Sequence, residues 1–197
     1  IEQLRERIQS VTDSLLDSAL AKGEMDIVAD LAVPLPVMVI ADMLGVPEDE
    51  RHLFKAWSRD LAHTLELTDS ADIYNRGAAA TVDFSAYLRD LANARRKNPQ
   101  PDLMSALVEA EDQGDKLTEQ ELISTCILLL VAGHETTTNL IGNGMLALLR
   151  NPDQLAKLKA QPALGRSAVE ELLRYDSPVQ MTSRMVLHET EYNGQTL

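Results

Sequence analysis

The 197-residue sequence predicts a mainly α fold, a helical core around one long central helix with a small C-terminal β-hairpin. Three observations predict it. Thr118 and Glu121 have the spacing of a capping box and no proline follows before Pro152, so one helix of about 32 residues, roughly 48 Å, is expected. Upstream, apolar residues recur at intervals of three and four, the period of amphipathic helices. Beyond Pro178 the period drops to two, and Asn193-Gly194 supplies the chemistry of a tight hairpin turn.

In chain order, Leu4, Ile8, Val11, Leu15, Leu16 and Ala19 give a helix over 1–22 that stops near Gly23. Asp30 is the expected cap of a short apolar helix over 31–44 that carries two early prolines, and Gly45-Val46-Pro47 breaks it. A helix over 47–67 follows, with Leu53, Phe54, Trp57, Leu61 and Leu65 inward. The next, over 69–97, has a face through Ile73, Val82, Tyr87, Leu88 and Leu91, and its basic end Arg95-Arg96-Lys97 complements the helix dipole. Asp102 caps a helix to about 111, and residues 112–115 turn the chain into the central helix. After Pro152 come two shorter helices, to about 160 and over 163–175, then a hairpin over 185–197.

Length suits one core, so residues 1–197 are expected to form a single domain, with no repeat or low-complexity stretch. A formal net charge of -13 argues against nucleic acid, whose phosphates demand a basic face. The single cysteine, Cys126, excludes an internal disulfide and suits a reducing cytoplasm, and its apolar neighbours predict burial. No membrane span or signal peptide is read. The chain opens at Ile1 already in helical periodicity, so a preceding segment is expected.

The central helix is apolar on every side over 126–132, the mark of a helix surrounded by protein. Into it the chain then sets Gly133, His134, Glu135 and three threonines, Thr136, Thr137 and Thr138, all weaker helix formers. On residue types alone two readings stand. In one, the threonines cap an irregularity in a buried helix. In the other, a rule broken in mid-core marks a site. Gly133 lies three residues from Thr136 and four from Thr137, so they share a face that something flat could approach. Threonine hydroxyls competing for carbonyls one turn back would loosen the ladder into a widened turn. Glu135 beside Thr136 places an acid and an alcohol together, the parts of a proton relay. His134-Glu135 also begins a zinc-protease pattern, but the second histidine it needs is Thr138 here.

The segment Ala132-Gly133-His134-Glu135-Thr136-Thr137 resembles the oxygen-binding stretch of the central helix in the cytochrome P450 superfamily, its soluble bacterial branch in particular. Downstream, Glu171-Leu172-Leu173-Arg174 is similar to that family's E-x-x-R helix, and Arg184 is placed like the arginine that meets a haem propionate. The resemblance implies a haem-thiolate monooxygenase that inserts one atom of dioxygen into a small organic substrate, with haem b as cofactor. It implies an electron-donor protein such as a ferredoxin as partner and a cytoplasmic location. It gives catalytic roles to Glu135 and Thr136 and haem contacts to Ala132, Gly133, Thr137 and Arg184, with Gly133 and Thr136 toward the haem. It makes Glu171 and Arg174 a buried pair locking the core, where residue types alone give a surface pair. Val179, Gln180, Met181 and Thr182, with 61–67, are candidate pocket residues.

The resemblance spans about half of a typical member, so the axial cysteine is expected beyond Leu197 and further haem contacts before Ile1. No metal ligand is expected within the chain. Cys126 lacks the glycine-bearing loop that would expose a ligand sulfur. Two other classes stay open: a catalytically inactive helical interaction module that retains the fold, and a helical hydrolase using His134 and Glu135, for which no nucleophile is read.

Overall fold

The computed structural model describes residues 4–65, 70–112, 117–182 and 186–196. Helix α1 spans Leu4–Lys22 and ends where Gly23 takes a φ of +78°, a left-handed conformation that costs glycine little. The next segment departs from expectation. Instead of one helix over 31–44 capped by Asp30, a π-helical turn at Ile27–Ala32 precedes α2 at Pro34–Met43. Its cap is Asp26, whose carboxylate accepts the Val28 and Ala29 amides at 2.9 and 3.0 Å. Asp30 accepts from the Asp26 amide and Lys22 Nζ, each at 2.9 Å. Pro34 is the physical reason: it has no N–H for the Asp30 carbonyl and its ring crowds that carbonyl. The ladder widens accordingly, and the Val33 amide donates to the Val28 carbonyl at 3.0 Å.

Helix α3 (Arg51–Ala62) lies between tight turns at Glu48–Glu50 and His63–Leu65, and α4 (Ala71–Lys97) runs beside it. Their seam is aromatic. Phe54, fully buried, meets Phe84 edge-on with centroids 5.0 Å apart, and Trp57 stacks on Phe84 at 5.2 Å. The inward face of α4 runs through Gly77, Ala80, Phe84, Leu88 and Leu91. Val82, expected on that face, is 68% exposed. It stands two residues from Phe84, hence about 200° around the helix.

Helix α5 (Leu103–Asp112) begins as expected with Asp102, whose Oδ1 accepts the Ser105 amide at 2.8 Å. Its Oδ2 accepts from Arg95 Nε at 2.6 Å, and Arg95 Nη2 donates to the Gly45 carbonyl at 2.7 Å. Arg95, expected only to complement the dipole of α4, therefore also joins α4, α5 and the turn after α2. Gly45 is required there. Its φ is +74°, and a Cβ on it would lie 2.0 Å from Asp102 Oδ2.

Burial raises the Asp102 pKa, but the Ser105 and Arg95 hydrogen bonds outweigh it and hold the carboxyl below its ordinary 3.8. The unfolded chain then binds more protons than the folded one between the two values, so stability rises with pH through that window. This contribution is complete at neutral pH and fades as pH falls from 3.8 through the folded value. Asp102→Asn is expected to be less stable at neutral pH and to lose less of its remaining stability on acidification. Parallel slopes in acid-unfolding titrations of the two full-length proteins would refute this.

Helix α6 (Glu119–Arg150) crosses the whole assembly, with both halves of its capping box formed: Glu121 N–H to Thr118 Oγ1 at 3.2 Å and Thr118 N–H to Glu121 Oε2 at 2.8 Å. Helix α7 (Pro152–Ala160), a tight turn at Pro162–Leu164 and α8 (Gly165–Tyr175) follow. Leu172 of α8 seats against Gly144 of α6, where an added Cβ would lie 2.9 Å from Leu172 Cδ1. The hairpin pairs β1 (Glu191–Tyr192) with β2 (Gln195–Thr196) through Asn193 and Gly194, whose φ values of 50° and 74° both lie in the left-handed region such a turn needs. It is shorter than the 185–197 expected. Residues 186–196 are all exposed, so no buried face extends the pairing, and Met185 and Leu197 lie outside the described residues.

Candidate functional site on the central helix

Within this chain the apolar run of α6 is covered on one side. Leu122, Ile123, Cys126, Leu130 and His134 form the buried stripe, whereas Leu128 is 65% exposed and Ala132 is exposed one turn later. Leucines on both faces cannot tell a helix covered all round from one covered on one side. Thr136, four residues after Ala132, is half-buried at the edge of this face, about 40° away. Its hydroxyl donates to the Ala132 carbonyl at 2.7 Å. The expected widened turn does not form, and α6 is α-helical from Glu119 to Arg150. A carbonyl has two lone pairs, so that of Ala132 can take the hydroxyl without surrendering its place in the ladder.

Gly133 does not share this open face. Its ideal Cβ would lie 2.8 Å from Ile40 Cδ1, so the missing side chain admits α2. It lies about 60° from Thr136, enough to turn from the open side to the covered one. Glu135 and Thr137 are half-buried, and Thr138 donates its hydroxyl to the Ala32 carbonyl at 2.9 Å, tying α6 to the end of the π-turn.

His134 is buried, and its Nδ1 is hydrogen-bonded to the hydroxyl of Ser58 on α3, itself fully buried. Burial holds the His134 pKa below its ordinary value, favouring the neutral ring, and Nε2 has no partner among the described residues. The sequence reading missed Ser58. The available signal was a hydroxyl four residues after Phe54 and three before Leu61, on an otherwise apolar stripe. The pair resembles a nucleophile and base, yet a serine with no exposed surface offers no substrate access, and the hydrolase reading gains nothing from it.

Glu171 and Arg174 are joined as expected, Arg174 Nε and Nη2 donating to the carboxylate at 2.8 and 2.6 Å. The burial expected for them is not supplied by the described residues of this chain. Their side chains are 57% and 70% exposed. Helix α8 faces α6 through Leu172, and Glu171 borders a cleft of about 370 Å³ between α6, α7 and α8 that is also lined by Leu148, Leu158, Leu172 and Tyr175. Each group's hydrogen bonds to the other lower the glutamate pKa and raise that of the arginine. Val179, Gln180, Met181 and Thr182 are exposed beyond α8, whereas Arg184 lies outside the described residues, as do positions 66 and 67.

The open Leu128–Ala132–Thr136 face, an acid beside an alcohol and the E-x-x-R helix can now be set against known proteins. The sequence profile of the cytochrome P450 family matches residues 4–161. The chain belongs to the cytochrome P450 family. It is 42% identical to cytochrome P450 monooxygenase PikC of Streptomyces venezuelae over 201 residues, covering all of this chain and 47% of that protein. Among solved structures it matches P450BioI in complex with acyl carrier protein ligated to hexadec-9Z-enoic acid, at 42% identity and a TM-score of 0.91, over 100% of this chain and 51% of that one. It also matches CYP109E1 from Bacillus megaterium in complex with testosterone, at 36% identity and a TM-score of 0.85, over 98% and 51% of the two chains. The chain spans about half the length of the curated P450s it matches.

A haem is the cofactor this family implies, and the chain's open face fits part of it. The Ala132 methyl between Leu128 and Thr136 gives a shallow, mostly apolar wall for a planar group. An axial thiolate does not come from Cys126, which is fully buried in the covered stripe with its thiol pushed up to about 12 by desolvation. Among the described residues no group of three His, Cys, Asp or Glu side chains could hold a metal ion, and no helix is long and apolar enough to cross a membrane.

Proposed function

We propose that the full-length P450 containing this chain is a cytoplasmic haem-thiolate monooxygenase acting on a small organic substrate, with a ferredoxin-like protein as electron donor. Residues 1–197 would be the helical part of one P450 domain, and the axial thiolate would lie outside them. The single observation that carries this reading is the open face of α6, where Thr136 directs its hydroxyl proton into the Ala132 carbonyl beside Glu135.

When bound, haem b supplies the iron at which dioxygen is reduced and split. Ala132 and Leu128 supply its apolar wall, and Arg184 is assigned a propionate. Because the Thr136 proton is engaged, Oγ1 presents its lone pairs outward and can hold a proton-donating water at the reaction face. Glu135, next in the chain, is the acid that reloads that water. The covered stripe behind them keeps bulk water from the other side of the helix. Val179, Gln180, Met181 and Thr182 are assigned to the substrate pocket.

The test uses the full-length protein with a ferredoxin donor, isotopically labelled dioxygen, and hexadec-9Z-enoic acid and testosterone as first probes. One haem per chain and one labelled oxygen atom per product molecule are expected. Purified, folded protein that takes up no haem would overturn the reading.

A further inference from the structure

The outward aim of Thr136 depends on the rotational phase of a very long helix, and apolar contacts alone set such a phase loosely. Burial is non-directional, so the stripe of Leu122, Ile123, Cys126 and Leu130 seats α6 without fixing its rotation finely. Two directional contacts stand behind the site. The Ser58–His134 hydrogen bond joins α6 to α3. One turn later, Thr138 Oγ1 donates to the Ala32 carbonyl at the end of the π-turn. His134 and Thr138 are each two residues from Thr136, on either side of it in sequence, so each lies about 160° around the helix from it. Both ties therefore grip the face opposite the open one, a turn apart along the axis. Just before them in the chain, about 60° around the helix from Thr136, Gly133 lets Ile40 of α2 approach, its Cδ1 lying 2.8 Å from where a Cβ would stand.

The composition of the Ser58–His134 tie points the same way. Both side chains are buried, yet among the described residues His134 Nε2 has no partner, and the hydrogen bond that holds the imidazole is the one at Nδ1. Replacing a buried polar pair by apolar groups of similar size is often neutral or stabilising, so stability alone is a weak reason for this one. Directionality is what an apolar pair would lack.

We infer that His134 with Ser58, and Thr138 with the Ala32 carbonyl, are positioning residues that fix the phase of α6 and so hold Glu135 and Thr136 toward the reaction face. The inference rests on the monooxygenase reading. It adds to the acid–alcohol pair a polar frame from α3 and the π-turn, neither of which touches the reacting atoms.

The experiment uses the full-length holoenzyme with the ferredoxin donor and whichever of the two probes is oxygenated. Peroxide formed per reductant consumed is measured with amide hydrogen exchange over 134–140. Thr138→Val and the double variant Ser58→Ala/His134→Leu should keep haem content and thermal stability near wild type. Both should exchange faster, and both should raise the peroxide fraction roughly two- to tenfold, the range a net hydrogen-bond contribution spans. With Ser58 in place, His134→Asn keeps a hydrogen-bonding atom near the place of Nδ1 and should hold the peroxide fraction nearer wild type than the single variant His134→Leu does. Unchanged coupling in Thr138→Val and in the double variant, with Thr136→Ala uncoupled, overturns this inference and leaves the monooxygenase reading intact. Unchanged coupling in all of them, Thr136→Ala included, overturns the roles given to the pair and to its frame together.

Discussion

Phe54→Ala is expected to lower the unfolding free energy of the full-length protein by about 3–5 kcal/mol, the range for emptying a buried aromatic site. Phe54 has no exposed surface and meets three rings edge-on, Phe84 at 5.0 Å, Tyr87 at 5.7 Å and Trp57 at 6.0 Å. Both phenylalanines and the single tryptophan of this sequence are in the cluster. Collapse of the hole is also resisted, because Tyr87 is pinned by the hydrogen bond its hydroxyl donates to Glu50 at 2.5 Å. Phe54→Leu, which keeps most of the volume, should cost about 1–1.5 kcal/mol. Denaturant unfolding decides it: an alanine variant within 1 kcal/mol of wild type would mean that α3 and α4 close over the gap. The loss also bears on the site, since Ser58 stands one turn along α3 from Phe54.

The long helix and its capping box were legible because they rest on local rules, a threonine–glutamate spacing and the absence of proline. The Asp102 cap and the Asn193-Gly194 turn were legible for the same reason. The placing of Asp30 failed where two rules met. An aspartate is a good cap at 26 or at 30, and only the demand of Pro34 for a carbonyl out of its way favours Asp26. Burial was harder to read than helix type. Glu171-x-x-Arg174 is the same string whether it faces protein or water, and Gly133 looks the same whether a ligand or Ile40 approaches it. Of the site itself, the Glu135–Thr136 pair was visible as a local rule broken. Ser58 and Ala32 were not, since they reach α6 from segments 76 and 106 residues away in sequence.

In the full-length enzyme, Thr136→Ala should keep consuming reductant while diverting it to hydrogen peroxide, and Glu135→Gln should slow turnover with less diversion. Splitting dioxygen requires two protons delivered in place, and misdirected water at that face releases peroxide instead. Removing the Thr136 hydroxyl removes the oxygen whose outward lone pairs hold the donor water, because its proton is committed to the Ala132 carbonyl at 2.7 Å. Supply of protons from Glu135 is untouched, so electrons continue to flow. The Glu135→Gln change is the converse: it keeps an amide where the carboxyl stood and leaves Thr136 in place, but the group can no longer reload the water. A positioned acid or base contributes roughly 10²- to 10⁴-fold, so the turnover loss should be the largest kinetic effect in this chain. Product, peroxide and reductant measured together separate the two roles. If Thr136→Ala forms product with wild-type coupling, the hydroxyl has no part in directing protons. If Glu135→Gln turns over at the wild-type rate, the acid that reloads the site is another group.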